Sequence, residues 1–194
     1  MNIELLTFFY KGQINPDLTN HDLFRCENAI DDLTTFAAND RLGVNYSRER
    51  LNLHRMHLYN ICFDGEQPIL ASGSEKLSDN VVRVFSRYYS YPNYRTDGTK
   101  PLEKVDDFKE LKYSLEILRK EYPLIIWSRD RSGKFFERLK RGRPDIFADW
   151  ELYKDPVELI YKDSYQNIFY TGDISYIDEV RYSNTSNKMD SLFP

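Results

Sequence analysis

The sequence predicts an α+β fold, a mixed and mostly antiparallel central sheet flanked by helices on both faces. Three observations carry this. Segments 55–63, 68–75 and 81–90 are apolar and β-prone and are separated by short polar turns, the pattern of an antiparallel meander. An amphipathic helix over about 105–120 then runs through Tyr122-Pro123 into the continuous apolar stretch Leu124-Ile125-Ile126-Trp127, the kind of strand that lies buried in parallel pairing. The length of this strand–helix–strand passage suits a crossover between neighbouring parallel strands.

Taken in order, a first strand covers Ile3 to Tyr10 and is closed by the turn residues Asn15-Pro16-Asp17. A helix follows from Asn20 to Ala38, with Leu23, Ile30, Leu33 and Ala37 recurring on one face and Thr19 or Asn20 placed to cap it. Asn39-Asp40 ends that helix, and a short irregular helical segment is expected between Tyr46 and Leu53. Asp64-Gly65-Glu66-Gln67 joins the first two meander strands, and Ser78-Asp79-Asn80 joins the next pair. The long helix carries Val105, Phe108, Leu111, Leu115, Leu118 and Tyr122 at spacings of three and four. Glu103, Asp106 and Asp107 near its start and Arg119 and Lys120 near its end match the helix dipole. A further helix, Gly133 to Lys140, packs Phe135, Phe136 and Leu139. Short strands are expected at Trp150–Tyr153, Val157–Tyr161 and Ile168–Thr171, before a polar tail from Ser183. The whole reads as a single domain, 1–182, with a tail, 183–194.

Composition narrows the function classes. A chain of 194 residues suits one domain with a sizeable core. Charged residues at 30% and a net charge of −4 indicate a soluble protein and argue against nucleic-acid binding through bulk positive charge. No apolar run approaches the ~20 residues of a membrane span, and the N-terminus lacks a signal-peptide pattern, so a cytoplasmic protein without a membrane partner is the default expectation. Cys26 and Cys62 have neither metal nor redox spacing and are expected to be buried, reduced thiols. His54-x-x-His57 falls on a strand, where residues three apart face opposite ways, so no metal site is expected there. The 15 Tyr and 12 Phe are read mainly as core filling for a strand-rich domain. Tyr88, Tyr89, Tyr91 and Tyr94 form the exception, because they crowd a candidate site.

That site is the stretch Tyr91-Pro92-Asn93-Tyr94-Arg95-Thr96-Asp97-Gly98-Thr99-Lys100, which links a strand to a helix N-terminus. Free N–H groups of a first helical turn and the helix dipole favour an anion, and a glycine allows close backbone approach. Arg95-x-x-Gly98-x-Lys100 resembles the acyl-coenzyme A pyrophosphate loop of the GNAT superfamily of N-acetyltransferases, Arg/Gln-x-x-Gly-x-Gly/Ala. It matches the first two anchors and departs at the third. Pro92-x-Tyr94-Arg95 is similar to the Pro-x-x-Arg approach of that family, and Phe135-Phe136-Glu137-Arg138-Leu139 to its Phe-Tyr-Glu-Lys-Leu segment. The element order over roughly 1–172 also matches.

The resemblance implies an acyltransferase that moves an acetyl or other acyl group from coenzyme A to a small-molecule or peptide amine. It implies that Tyr89 and Tyr91 lie along the acyl and pantetheine path, with N–H groups from Arg95, Thr96, Asp97, Gly98, Thr99 and Lys100 facing pyrophosphate. Lys100 either obstructs that approach or turns outward to pair with a phosphate oxygen, and Pro101 removes one donor. The tyrosine with which the family protonates the leaving thiolate is matched by Phe136, which has no proton to give. Tyr91 and Tyr94 are substitutes by proximity alone, Glu75 is a weak candidate base, and no catalytic residue is assigned. Two readings of the loop stay open, a coenzyme A site and a plain connection. So do readings of the chain: an active transferase, an inactive GNAT-fold ligand-binding or interaction module and, more distantly, an unrelated α+β domain of structural role. The basic residues Arg129, Arg131, Lys134, Arg138, Lys140, Arg141 and Arg143 are either contacts for the adenosine 3′-phosphate or an anionic acceptor, or a solvated face.

Overall fold

The computed structural model describes residues 3–9, 18–39, 57–91, 107–129, 133–159 and 165–181. The order of elements is β1 (Ile3–Phe9), α1 (Asn20–Asn39), β2 (Leu58–Asp64), β3 (Gln67–Lys76), β4 (Val81–Ser90), α2 (Asp107–Glu121), β5 (Leu124–Arg129), α3 (Gly133–Gly142), α4 (Pro144–Phe147), β6 (Glu151–Leu152), β7 (Val157–Glu158), β8 (Tyr165–Gly172) and a 3₁₀ helix (Ile174–Glu179). The eight strands run β1-β2-β3-β4-β5-β8-β6 across the sheet, with β7 also paired to β8. By packing, the chain divides into two compact units, Met1–Lys76 with Val84–Ile117 and Leu77–Arg83 with Leu118–Pro194.

In the first unit β1 pairs antiparallel with β2, from Ile3↔Asp64 to Phe9↔Leu58. β2 pairs antiparallel with β3, and the register shifts between Cys62 and Phe63. Gly65 turns the β2–β3 hairpin at φ +62°, a left-handed value that favours glycine. Helix α1 begins in a capping box. Thr19 Oγ1 accepts from Asp22 N–H at 3.1 Å, and Asp22 Oδ2 accepts from Thr19 N–H at 3.0 Å. The buried stripe of α1 is Cys26, Ala29, Ile30 and Leu33, spaced three, four and seven apart. Leu23 is only partly buried, and the Ala37 side chain lies outside the described residues. Arg25 ties the helix to the sheet, with Nη1 2.8 Å from Glu4 Oε2, Nη2 3.0 Å from Gly65 O, and its guanidinium over Phe63.

In the second unit the opening of β4 pairs with β5 in parallel, Val81↔Leu124, Val82↔Ile125 and Arg83↔Ile126, as the crossover length predicts. β5 pairs antiparallel with β8 from Leu124↔Gly172 to Arg129↔Asn167. The short strands β6 and β7 follow one another along the other edge of β8. One face of this region packs Val81, Leu124, Ile126 and Ile168 against Val157, Leu159, Ile177 and Val180. The other face is aromatic, with Trp127, Phe136, Phe147, Trp150 and Phe169 all buried.

The expected elements are present with shifted ends. β5 runs on to Arg129, β8 starts at Tyr165, and the strands after α4 shrink to two residues each. Helix α4 and the 3₁₀ helix have no counterpart in the sequence reading. Both are too short for periodicity to register, and each has a local start signal. Pro144 opens α4 with φ already set, and the Asp173 side chain accepts from Ser175 N–H at 3.0 Å. The expected segments 46–53 and 183–194 lie outside the described residues.

Candidate functional site

The candidate site lies where β4 hands over to α2, and the described residues frame it on both sides. β4 runs to Ser90, so Tyr89 sits within the strand. Tyr91 follows it, and its N–H donates to Ile69 C=O at 3.0 Å. The Tyr91 side chain is 8% exposed and packs in the core of the first unit with Phe8, Tyr59, Ile61 and Leu70. Arg95, Thr96, Asp97, Gly98, Thr99, Lys100 and the neighbouring Tyr94 and Pro101 lie outside the described residues. Helix α2 is described from Asp107 and buries Leu111, Ser114, Leu115 and Leu118.

Helix α2 is registered on the sheet by a polar contact that the sequence reading did not single out. Side chains alternate along β2, so Asn60 faces away from the side occupied by Tyr59 and Ile61. There Asn60 Nδ2 donates to Ser114 Oγ at 2.6 Å. Its Oδ1 accepts from Thr7 Oγ1 at 2.8 Å, and Nδ2 stands 3.5 Å from Ser72 Oγ. Thr7 and Ser72 are the direct cross-strand neighbours of Asn60. The result is a row of polar side chains across three strands, joined to a helix. The signal in sequence was Asn60 itself, an amide in the middle of the apolar run Leu58-Tyr59-Asn60-Ile61-Cys62-Phe63.

A second polar group lies inside the second unit. Arg83 is 3% exposed, and its Nη1 is 3.5 Å from Ser128 Oγ. Gln166, also buried, shares the sheet face of Ile168 by strand alternation.

Phe136 occupies the position matched to the acid tyrosine, and among the described residues its ring neighbours are Trp127, Phe135 and Phe169. Its ring centroid lies 4.8 Å from Phe169, 5.4 Å from Phe135 and 5.9 Å from Trp127, and the residue has no exposed surface. Glu75 is half-buried near the end of β3.

The basic residues divide into two groups. Lys140 Nζ donates to Trp150 C=O at 2.6 Å, Arg143 chelates Asp145 through two 3.0 Å hydrogen bonds, and Arg129 lies over Trp127. Lys134, Arg138 and Arg141 remain on the exposed side of α3. Arg131 lies outside the described residues.

Cys26 and Cys62 are buried thiols outside any disulfide, as expected, and burial pushes the Cys26 thiol up to about 12. That is the behaviour of a core residue and not of a nucleophile. Among the described residues there is no group of three or more His, Cys, Asp and Glu able to hold a metal ion, and no helix is long and apolar enough to cross a membrane.

No protein-family model matches the chain, and no curated protein matches it by sequence. Solved structures do. An acyl-CoA N-acyltransferase from Pseudomonas aeruginosa matches over 88% of this chain and 100% of its own, with 11% identity and a TM-score of 0.50. An N-acetyltransferase from Staphylococcus aureus Mu50 matches over 89% and 98%, with 11% identity and the same TM-score. A Lactobacillus plantarum protein assigned to the N-acetyltransferases matches over 87% and 97%, with 15% identity and a TM-score of 0.51. At such identities the likeness is one of fold, and the fold is that of the GNAT N-acetyltransferases.

Proposed function

We propose that this chain binds an acyl-coenzyme A at the passage from β4 to α2 and transfers the acyl group to an amine. The observation that supports this most is the conjunction of fold and loop position. The chain has the GNAT fold, and Arg95-x-x-Gly98 lies between its fourth strand and the helix that follows, where that family holds pyrophosphate. In this reading the N–H groups from Arg95 to Lys100 cradle the diphosphate, and Tyr89 and Tyr91 border the pantetheine arm. The acceptor is a small-molecule or peptide amine, which must arrive neutral to attack the thioester carbonyl. The amine nitrogen forms the new amide bond, the carbon–sulfur bond breaks, and coenzyme A leaves as a thiolate that takes up the proton the amine gives up.

A second reading is favoured by one observation. The position matched to the acid tyrosine is Phe136, sealed among other rings. A GNAT-fold module that binds coenzyme A or another ligand without turnover is consistent with that.

Thermal unfolding with and without acetyl-coenzyme A, followed by assay against an amine panel, separates the two. Ligand at a hundredfold its Kd should add about 2.7 kcal/mol of stability. Binding with turnover supports transfer, and binding without it supports the second reading. The Gly98→Val variant should lose coenzyme A while keeping its fold, because a branched side chain blocks the backbone approach. If that variant binds as well as the parent, the loop is a connection and the leading reading fails.

A further inference from the structure

Two exposed helix faces carry charges of opposite sign at the same spacing. On α3 they are Lys134, Arg138 and Arg141, four and then three residues apart and all exposed. On α1 they are Asp31 and Glu27, exposed and four apart, and three residues further back stands Phe24, 63% exposed. Neither row is favourable by itself. Like charges three and four apart on a helix repel, both along Lys134–Arg138–Arg141 and between Glu27 and Asp31. Lys134 also lies in the first turn of α3, which holds no acidic residue, and so meets the positive end of the dipole. Among the described residues no carboxylate forms an ion pair with the three cations, and Arg141 Nε donates to the Glu137 C=O of its own helix at 3.4 Å. Glu137 is the one acid on that face and leaves it net positive.

Set antiparallel, the two rows match position by position. Asp31 falls opposite Lys134, Glu27 opposite Arg138, and the Phe24 ring opposite the Arg141 guanidinium. The steps are four residues and then three on both helices, about 6 and 4.5 Å along either axis. Two of the matches are opposite charges, and the third is a cation–π contact. The antiparallel setting also lays the positive end of each macrodipole beside the negative end of the other. Next to Arg141, a Cβ on Gly142 would meet nothing within 4 Å, so the surface there is open to a ring. We propose that the basic face of α3 is a docking surface for the acidic face of α1 on a second copy of this chain. The two faces differ, so the contact is heterologous, and each pair leaves one acidic and one basic face for a further copy. Exposed ion pairs are individually weak, so the association is reversible and salt-sensitive.

Sedimentation equilibrium of the full chain over a concentration series is the test. The weight-average mass should rise above that of one chain, and raising salt from about 0.05 M to about 0.5 M should weaken the association about tenfold. Phe24→Ala should weaken it about threefold, the scale of one exposed cation–π contact. Arg138→Glu and Glu27→Arg should each stay single at concentrations where the parent associates. Mixed in equal amounts, the two variants should associate again. The acidic α1 of the first then meets the unaltered α3 of the second, and their two reversed faces also complement each other. Damage to the fold would not be repaired by mixing. A parent that stays single at every concentration overturns the proposal. So does a parent that binds polyglutamate through α3 without self-association, which would assign the face to another acidic partner. Association that salt and both variants leave unchanged, or a mixture that remains two single species, overturns it equally.

Discussion

Gly172→Ala is the substitution whose cost follows most directly from the structure. Gly172 ends β8 at φ +100°, opposite Leu124 at the start of β5. An L-residue held at such an angle costs roughly 1–2 kcal/mol. A Cβ there would sit inside the van der Waals shell of Pro123 O and 3.4 Å from Leu124 Cα. Neither is the far end of a flexible side chain, so backbone must move. The same carbonyl accepts the Asp173 N–H at 2.8 Å, and displacing it weakens a hydrogen bond worth about 1 kcal/mol. Together these give a loss on the order of 3 kcal/mol, without loss of any side-chain contact. Urea unfolding followed by circular dichroism reads this as a lower midpoint at unchanged slope. A loss under about 1 kcal/mol would refute the reasoning, since it would mean that the β5–β8 corner yields freely. The converse change at Gly142, where a Cβ meets nothing within 4 Å and φ is not positive, should be close to neutral.

Three further outcomes are expected. Phe136→Tyr should destabilise by about 2 kcal/mol, because the new hydroxyl enters a site lined by Trp127, Phe135 and Phe169. It should not raise acyl-transfer rates, and a faster variant would show that the matched position can serve as the acid. Burial raises Cys26 from its ordinary 9.0, and Tyr122 from 10.0, to about 12 in each case. The unfolded chain ionises first, so stability is intact below pH 9 and falls as pH climbs toward 12. Urea midpoints against pH should show that fall, and Cys26→Ala should flatten its lower part. At the acid end, hydrogen bonds from Thr19 hold the Asp22 carboxyl below its ordinary value. That contribution is present above the ordinary value and lost as pH falls through the lowered one. Thr19→Ala should therefore lower the melting temperature at neutral pH and narrow the gap from the parent in acid.

Much of the fold was legible because it is written in periodicity. The alternation and apolar runs of 58–64, 67–76, 81–90 and 124–129, and the three-and-four spacing of Leu111, Leu115 and Leu118, suffice to lay out strands and helices. Of the two candidate caps, Thr19 and Asn20, the structure uses Thr19, paired with Asp22 three residues later. Elements held mainly by distant partners were not legible. The 3₁₀ helix has its local cap at Asp173, but Ile177 and the following Val180 pack on Leu124 and Ile126 of β5, remote in sequence. The polar interior shows the same divide. Asn60 and Arg83 are polar exceptions within strands that the sequence analysis passed over, and their partners Ser114 and Ser128 lie 54 and 45 positions away. A sequence displays the exception and conceals the partner, because pairing across a sheet or under a helix is settled only when the chain closes on itself.

The aromatic face of the second unit makes part of the molecule self-reporting. The chain has two tryptophans, and both lie in that face, 6.1 and 5.5 Å from the Phe147 ring. Trp127 is 4% exposed and Trp150 not at all. Intrinsic fluorescence excited at the indole band is therefore a gauge of one unit, blue-shifted while the rings are closed and red-shifted once water enters. The first unit, with tyrosines and no indole, contributes backbone signal only. Unfolding curves by fluorescence and by circular dichroism will superimpose if the two units melt as one body, and will separate if they do not.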